Sequence, residues 1–224
     1  MKTSGFNLLF VFIAIFSTSI CAQTTELIIS EYGEGDSWNK YIEIYNGTGA
    51  DIDLAPYTLN TAFNGSASWT YLLNLTGVIT NGDVFVLVHP NADPGLLGLA
   101  DQLYGSGFNG DDVVGLFKNA VLIDAVGSYG VDPGTGWDVA GTVEGTVNHT
   151  IVRKPSVCSP NTNWASSAGT TPANSEWIVL PNEDWSNIGS HSSTCGGIPV
   201  PVNQWVLVLI LAVSIFLFRK KILR

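Results

Sequence analysis

Basic residues are scarce in this chain of 224 residues, where nine Lys and Arg stand against nineteen Asp and Glu. Lys2, Arg219, Lys220, Lys221 and Arg224 crowd the two ends. Only Lys40, Lys118, Arg153 and Lys154 are left to face all nineteen acids over 24–195, a net charge of −15 there. A field of that sign repels phosphate backbones and argues against nucleic acid as a partner. It suits a solvated extracellular surface or divalent cations. Histidine is equally sparse. His89, His149 and His191 each stand alone, without the pairings that bind zinc. There is no Gly-x-Ser-x-Gly elbow for a serine hydrolase. The glycine-rich Asp132–Gly136 lacks the Lys and Ser/Thr of a phosphate loop. No internal repeat marks a solenoid or propeller.

Long apolar runs are missing too, and the two short ones lie at the ends. Lys2, the run Leu8–Phe16 and the small polar stretch Ser17–Gln23 have the order of a secretory signal peptide, here assigned to 1–23. The run is too short to span a bilayer, which takes about 20 apolar residues. Cleavage after Ala22 fits that order. Lipid attachment at Cys21 fits less well, because Ile20 stands where such sites want a small residue. At the other end, 205–218 carries no charge and a basic tail, 219–224, comes after it. Fourteen helical residues cover roughly 21 Å of the ~30 Å hydrocarbon core. Interfacial Asn203, Gln204 and Trp205 extend the segment, and the basic tail belongs on the cytoplasmic side. Residues 192–204 form the approach to it.

Between the ends, 24–191 has the length of one domain. Period-two and β-branched or aromatic runs recur between turn residues, most clearly at Glu26–Tyr32 and Lys40–Asn46. Seven more candidates are Tyr57–Asn60, Trp69–Leu75, Val84–Val88, Val113–Lys118, Val121–Val126, Thr150–Arg153 and Trp177–Leu180. Asn-Gly turns at Asn46, Asn64, Asn81 and Asn109 punctuate them. One helix is expected, Pro94–Leu103, with Asp93 as its N-cap. About nine short strands and one helix describe an all-β sandwich.

Three motifs tie this pattern to a family. Leu27–Tyr32 (LIISEY), Tyr41–Asn46 (YIEIYN) and Phe108–Lys118 (FNGDDVVGLFK), continued by His149–Lys154 and Trp164, resemble the lamin-tail domain in its bacterial, secreted form. The resemblance covers about 24–191. It implies an immunoglobulin-like β-sandwich that serves as an interaction module, one that in bacterial proteins often accompanies secreted nucleases or phosphatases. At the C-terminus, Gly196-Gly197-Ile198-Pro199-Val200-Pro201, Trp205 and the cluster Arg219, Lys220, Lys221 resemble bacterial sorting signals of the IPTL-CTERM type, and the glycine pair is similar to the GlyGly-CTERM type. That resemblance implies a membrane-embedded protease or transpeptidase as a partner. A plain single-span membrane anchor is the alternative.

Export leaves Cys158 and Cys195 as an even pair in an oxidising compartment, either bridged or free. A bridge would contribute about 4 kcal/mol in the chain-entropy account. Cys158 also departs from the lamin-tail pattern, which has a small polar residue there, and this departure favours the bridge. No cofactor motif is present. Calcium is the one ion that the carboxylates suit, through Glu31, Glu34 and Asp36 around a glycine turn and Asp111 and Asp112 beside Asn109-Gly110. Acids at turns also bond nearby backbone, which explains them structurally. Trp38 and Trp137, each in a Gly/Asp-rich loop, are the candidates for exposed rings that stack on a sugar or anchor a protein.

These readings describe an exported, non-catalytic surface module held or sorted by its C-terminus. A carbohydrate or matrix adhesin would add a line of exposed aromatics on one face. An accessory to a secreted nuclease or phosphatase would need that enzyme beside it. The ends give the first testable expectation. Mass analysis of surface-exposed protein should find a chain that begins near Gln23 and stops before Arg219. A chain that keeps Met1 counts against export, and one that keeps the basic tail favours the simple anchor.

Overall fold

A computed structural model describes residues 23–195. The signal segment, Pro199, Pro201, Trp205 and the basic tail therefore lie outside the described residues. Among the described residues, no helix is long and apolar enough to cross a membrane.

Twelve strands and two short helices succeed one another. They are β1 Ile28–Glu34, β2 Lys40–Tyr45, β3 Ile52–Asp53, β4 Tyr57–Ala62, β5 Tyr71–Asn74, β6 Val78–Ile79 and β7 Val84–Val88. After α1 Pro94–Leu97 come β8 Gln102–Leu103, β9 Val113–Lys118, β10 Val121–Val126, β11 His149–Arg153, α2 Trp164–Ala168 and β12 Trp177–Leu180. One sheet has the order β12-β11-β1-β2-β7-β8 and a second has β10-β9-β4-β5, while β3 and β6 pair alone. All pairings are antiparallel except β7 with β8. Alternation decides what lies between the two sheets. Ile42 and Ile44 of β2 meet Leu59 of β4 and Val114 and Leu116 of β9 in one buried cluster. This is an all-β sandwich, as the strand pattern implies, and its two sheets are consistent with the immunoglobulin-like form that the resemblance implies.

The nine expected strands are all present, four of them with the expected limits and five shifted, and three two-residue strands add to them. Their brevity leaves no periodicity to read. The helix expected over 94–103 is only one turn long. Asp93 caps it by accepting from the Gly95 amide at 2.8 Å, as expected, but it ends at Gly98, and Gln102 and Leu103 join the sheet edge instead. The helix α2 is additional to the one expected. Asn163 caps it, and it buries Trp164.

The outer face of the six-stranded sheet is covered by the chain's own return. After β12, residues 181–195 run back over Tyr41, Val86 and Val88, and Trp185 and Ile188 pack there beside Leu96 of α1. The Asp36 amide and the Asn39 side chain both donate to Glu183, at 3.2 and 2.5 Å. This strap ends at a closed Cys158–Cys195 disulfide with Cα atoms 5.1 Å apart. At the start of the described chain, the Thr25 amide donates to the Cys158 carbonyl at 2.9 Å. Both ends of the described chain thus emerge side by side.

One ion pair joins the layers. Arg153 at the end of β11 and Asp124 of β10 are both fully buried and meet through two bonds of 2.8 and 2.7 Å. The β1–β11 ladder stops at Glu31 opposite Val152, and the β1–β2 register shifts between Ile29 and Glu31. There the Ile29 amide donates to Asp124 at 2.8 Å, and its carbonyl accepts from Arg153 Nε at 3.1 Å. Side chains continue the hydrogen bonding that the strands leave off. Arg153 also lies over the Trp177 ring, 4.0 Å from its centroid, and donates to Glu176 at 2.5 Å and Ser167 at 3.2 Å.

Removing one member of a buried pair strands the other charge and costs about 3–5 kcal/mol. Asp124→Asn should therefore lower the stability read from the urea midpoint by that order. A loss below about 1 kcal/mol would show that the pair is not what joins the sheets.

Candidate functional site

The carboxylates proposed for calcium are spread over separate tasks. Glu31 sits on the strap-covered face of β1 and accepts from the Tyr41 hydroxyl. Glu34 pairs with buried Lys40 and accepts from the Asn148 amide at 2.6 Å. Asp36 is exposed and accepts from Asn182 at 2.8 Å. Asp112 holds its own loop together by accepting from the amides of Asn64 and Asn109, both at 2.8 Å. Asp111 is buried beside it, and its Oδ1 finds no hydrogen-bond partner. Burial raises the Asp111 and Asp112 carboxyls above the usual range. The Asp112 charge pushes Asp111 up further, while the two backbone amides oppose the rise at Asp112. The fold thus brings Glu34, Asp111 and Asp112 within electrostatic reach of one another and separates Glu31 and Asp36 from them. Among the described residues, no group of three or more His, Cys, Asp or Glu could hold a metal ion.

A second pair of acids lies beneath the strap. Glu31 and Glu43 are register partners across β1 and β2. Glu43 accepts from the Ser30 hydroxyl at 2.7 Å and from the strap's Gly189 amide at 2.8 Å. Burial drives Glu31 up to about 8 against the Tyr41 hydrogen bond, with Glu43 and Asp184 adding repulsion. It drives Glu43 up to about 7 against its two hydrogen bonds, with Asp101 and Asp83 adding repulsion. Nothing local marks Glu43, because the strap residue that bonds it, Gly189, lies 146 positions further on.

The tryptophans divide differently from expectation. Trp38 is 45% exposed and stacks on His89 at a centroid distance of 4.4 Å. Trp137, expected at the surface, is only 8% exposed. Gly127, at φ +92°, leaves no room for a β-carbon beside its ring, and Trp164 meets it edge-on at 6.2 Å. Its amide donates to Thr146 Oγ1 at 2.9 Å. A glycine-rich loop therefore wraps a buried ring, and Trp137 is not the exposed ring that the loop's composition suggests. An unexpected pair takes the surface instead. Trp69 and Tyr129 stack at 4.8 Å with 16° between planes, and Phe117 meets Trp69 edge-on at 5.0 Å. No local sequence signal marks this pair, since the two rings come from separate loops far apart in the chain.

A shallow cleft of about 180 Å³ lies between β12 and the strap, lined in part by Ile178, Asn187 and His191. It is smaller than the usual small-molecule site. Burial holds His191 down at about 4, so the ring is neutral at pH 7. Its Nε2 is buried without a partner, and the ring packs at a tilt on Tyr45. His149 has no catalytic setting either, with its Nδ1 2.6 Å from the Val147 carbonyl.

Residues 21–130 match the model of the Lamin Tail Domain. No curated protein and no solved structure matches the chain. The lamin-tail match takes in β1 to β10 and both members of the Glu31–Glu43 pair. It ends before β11, α2, β12 and the strap, so Arg153 and the lid over Glu43 lie in the C-terminal remainder of the domain. The matched family is a non-catalytic, immunoglobulin-like one.

The buried acids of the lamin-tail segment set the sign of the pH response. In the unfolded chain both glutamates titrate near 4.3. Folding raises them, so they hold more protons in the folded state up to about 8 and lower stability as pH rises, which outweighs the opposite contribution of the depressed His191 below about 6.5. Each tenfold change in proton affinity is worth about 1.4 kcal/mol, so the loss amounts to a few kcal/mol. The melting temperature should be at least roughly 5 °C lower at pH 8.5 than at pH 5, as a domain of this size loses ~2–4 °C per kcal/mol. In Glu31→Gln/Glu43→Gln the slope should flatten. A melting temperature that rises over this window would contradict the protonated assignment.

Proposed function

We propose that the chain is a non-catalytic binding module displayed outside the cytoplasm, with the lamin-tail sandwich as a rigid carrier. The observation that carries this reading is how the side chains are deployed. Glu31 and Glu43, whose carboxyls burial holds well above the usual range, are tied into the sheet and sealed by the strap, while Trp38 and Tyr129 stand in solvent at 45% and 42% exposure. Exposed rings on a stiff frame make good anchors, because they bury much area at little entropic cost. The Cys158–Cys195 bridge supports an oxidising compartment, in keeping with the signal peptide read from 1–23. The C-terminal segment then holds the module at the envelope or is read as a sorting signal by a membrane protease. Its partner is a protein or a glycan of that environment.

The test uses the full chain, immobilised and exposed to envelope extract. The wild-type protein should retain a reproducible set of components, and Trp38→Ala/Tyr129→Ala should lose at least tenfold of that retention with an unchanged melting temperature. Equal retention by both proteins would overturn the binding reading. Turnover of ester or phosphodiester substrates by the pure protein would overturn the non-catalytic one.

A further inference from the structure

The outer face of the four-stranded sheet carries an organised aromatic surface. Leu59 points into the core and Thr61 bonds Tyr104 on the inner side, so alternation turns Thr58 and Asn60 of β4 outward. Asn60 pairs with Gly115 on one side and Leu72 on the other, and Thr58 pairs with Phe117 and Asn74. Gly115 is the reason that a ring can lie on this face. A β-carbon there would come within 2.7 Å of Trp69 Cη2. Trp69 thus settles over the glycine against Phe117, and Tyr129 stacks on it with much of its surface in solvent. Beneath this platform, Asn60 is 5% exposed and its Oδ1 has no hydrogen-bond partner.

Three features narrow the occupant. A flat exposed ring selects a ligand with a flat, weakly apolar face. The polar groups that the strands offer here are the neutral Thr58, Asn60 and Asn74, and no carboxylate from these strands points outward. The four cations among the described residues are all engaged internally. Lys40 pairs with Glu34, Lys118 with Glu26 and Arg153 with Asp124, and Lys154 donates to the carbonyls of Pro172 and Ser175. Nucleobases could stack on such a surface, but their phosphates meet a net charge of −15 over 24–195 with no cation released to receive them. Sulfated and uronate glycans fail for the same reason. A cationic side chain would find the ring but no acid from these strands beside it.

We infer that the Trp69–Tyr129 platform binds a neutral saccharide, with a pyranose ring stacked on Tyr129 and its hydroxyls facing the amides and hydroxyls of the same sheet. This rests on the binding-module reading and names its ligand class.

Tryptophan emission of the full chain is titrated with neutral oligosaccharides (cello-, xylo-, malto- and chito-hexaose), with heparin and polylysine run in parallel. At least one neutral series should quench emission saturably. Tyr129→Ala should weaken that binding about tenfold or more, Tyr129→Phe should restore it, and Val143→Ala, at an exposed position outside the platform, should leave it unchanged. Melting curves of the variants establish that each is folded. The inference is overturned if no neutral oligosaccharide binds, if only heparin or polylysine does, or if Tyr129→Ala binds as well as the wild type. A silent sugar panel alongside retained envelope components would remove the saccharide assignment and leave the binding role standing.

Discussion

The Asp124–Arg153 pair is the constraint on which the sandwich depends. A fully buried carboxylate costs several kcal/mol of hydration, and a single arginine partner seldom recovers it. Here the carboxylate also accepts from the amides of Ile29, Ala125 and Asn161. The guanidinium spreads over the Ile29 carbonyl, Ser167, Glu176 and the Trp177 ring. Every group at the junction is satisfied, so the charges hold a geometry that apolar packing alone would leave free to slide. Burial pushes the Asp124 carboxyl up, and Arg153 and the two long-range amides oppose it. β1, β10, β11, β12 and α2 all meet at this point. It is also where the lamin-tail segment joins the C-terminal remainder of the domain, since Asp124 lies within the matched residues and Arg153 beyond them.

The second constraint is the covering of each sheet face. An antiparallel sheet commonly leaves one face to water. The six-stranded sheet instead lies under its own C-terminal strap, which the disulfide closes over Tyr41, Glu31 and Glu43. That enclosure creates the displaced titrations and removes those acids from any ligand's reach. The four-stranded sheet has no such strap among the described residues, and on its outer face Trp69, Phe117 and Tyr129 lie beside Leu72 and Leu122. The asymmetry gives the molecule one sealed face and one presented face. It also places the stacked Trp69–Tyr129 pair away from the acids that are hardest to keep charged.

How much of the fold and the site is legible in the chain depends on the range of the interaction. The alternation in Lys40–Tyr45, Val113–Lys118 and Val121–Val126 is local, and it places those strands and the core they share. Asp93 and Pro94 announce a helix start, but nothing nearby announces that Gly98 ends it after one turn. The composition around Trp137, rich in glycine and aspartate, resembles a solvent loop. Gly127 and Trp164, from other segments, decide that the ring is buried. Arg153 reads in the sequence merely as one of four scarce cations, and its central place depends on partners from four other segments.

By itself the sequence determined the class of fold, the sign and size of the surface charge, the family likeness of the first half and the two cysteines available to pair. These come from composition, period-two patterning and short motifs, all carried by neighbouring residues. Only the tertiary structure decided which carboxylates would be buried, which tryptophans would be exposed, and that Trp69 and Tyr129 would share a surface. Those outcomes rest on contacts between residues tens of positions apart, whose energies come from burial and from strand register. Neither quantity exists until the two sheets have closed on one another.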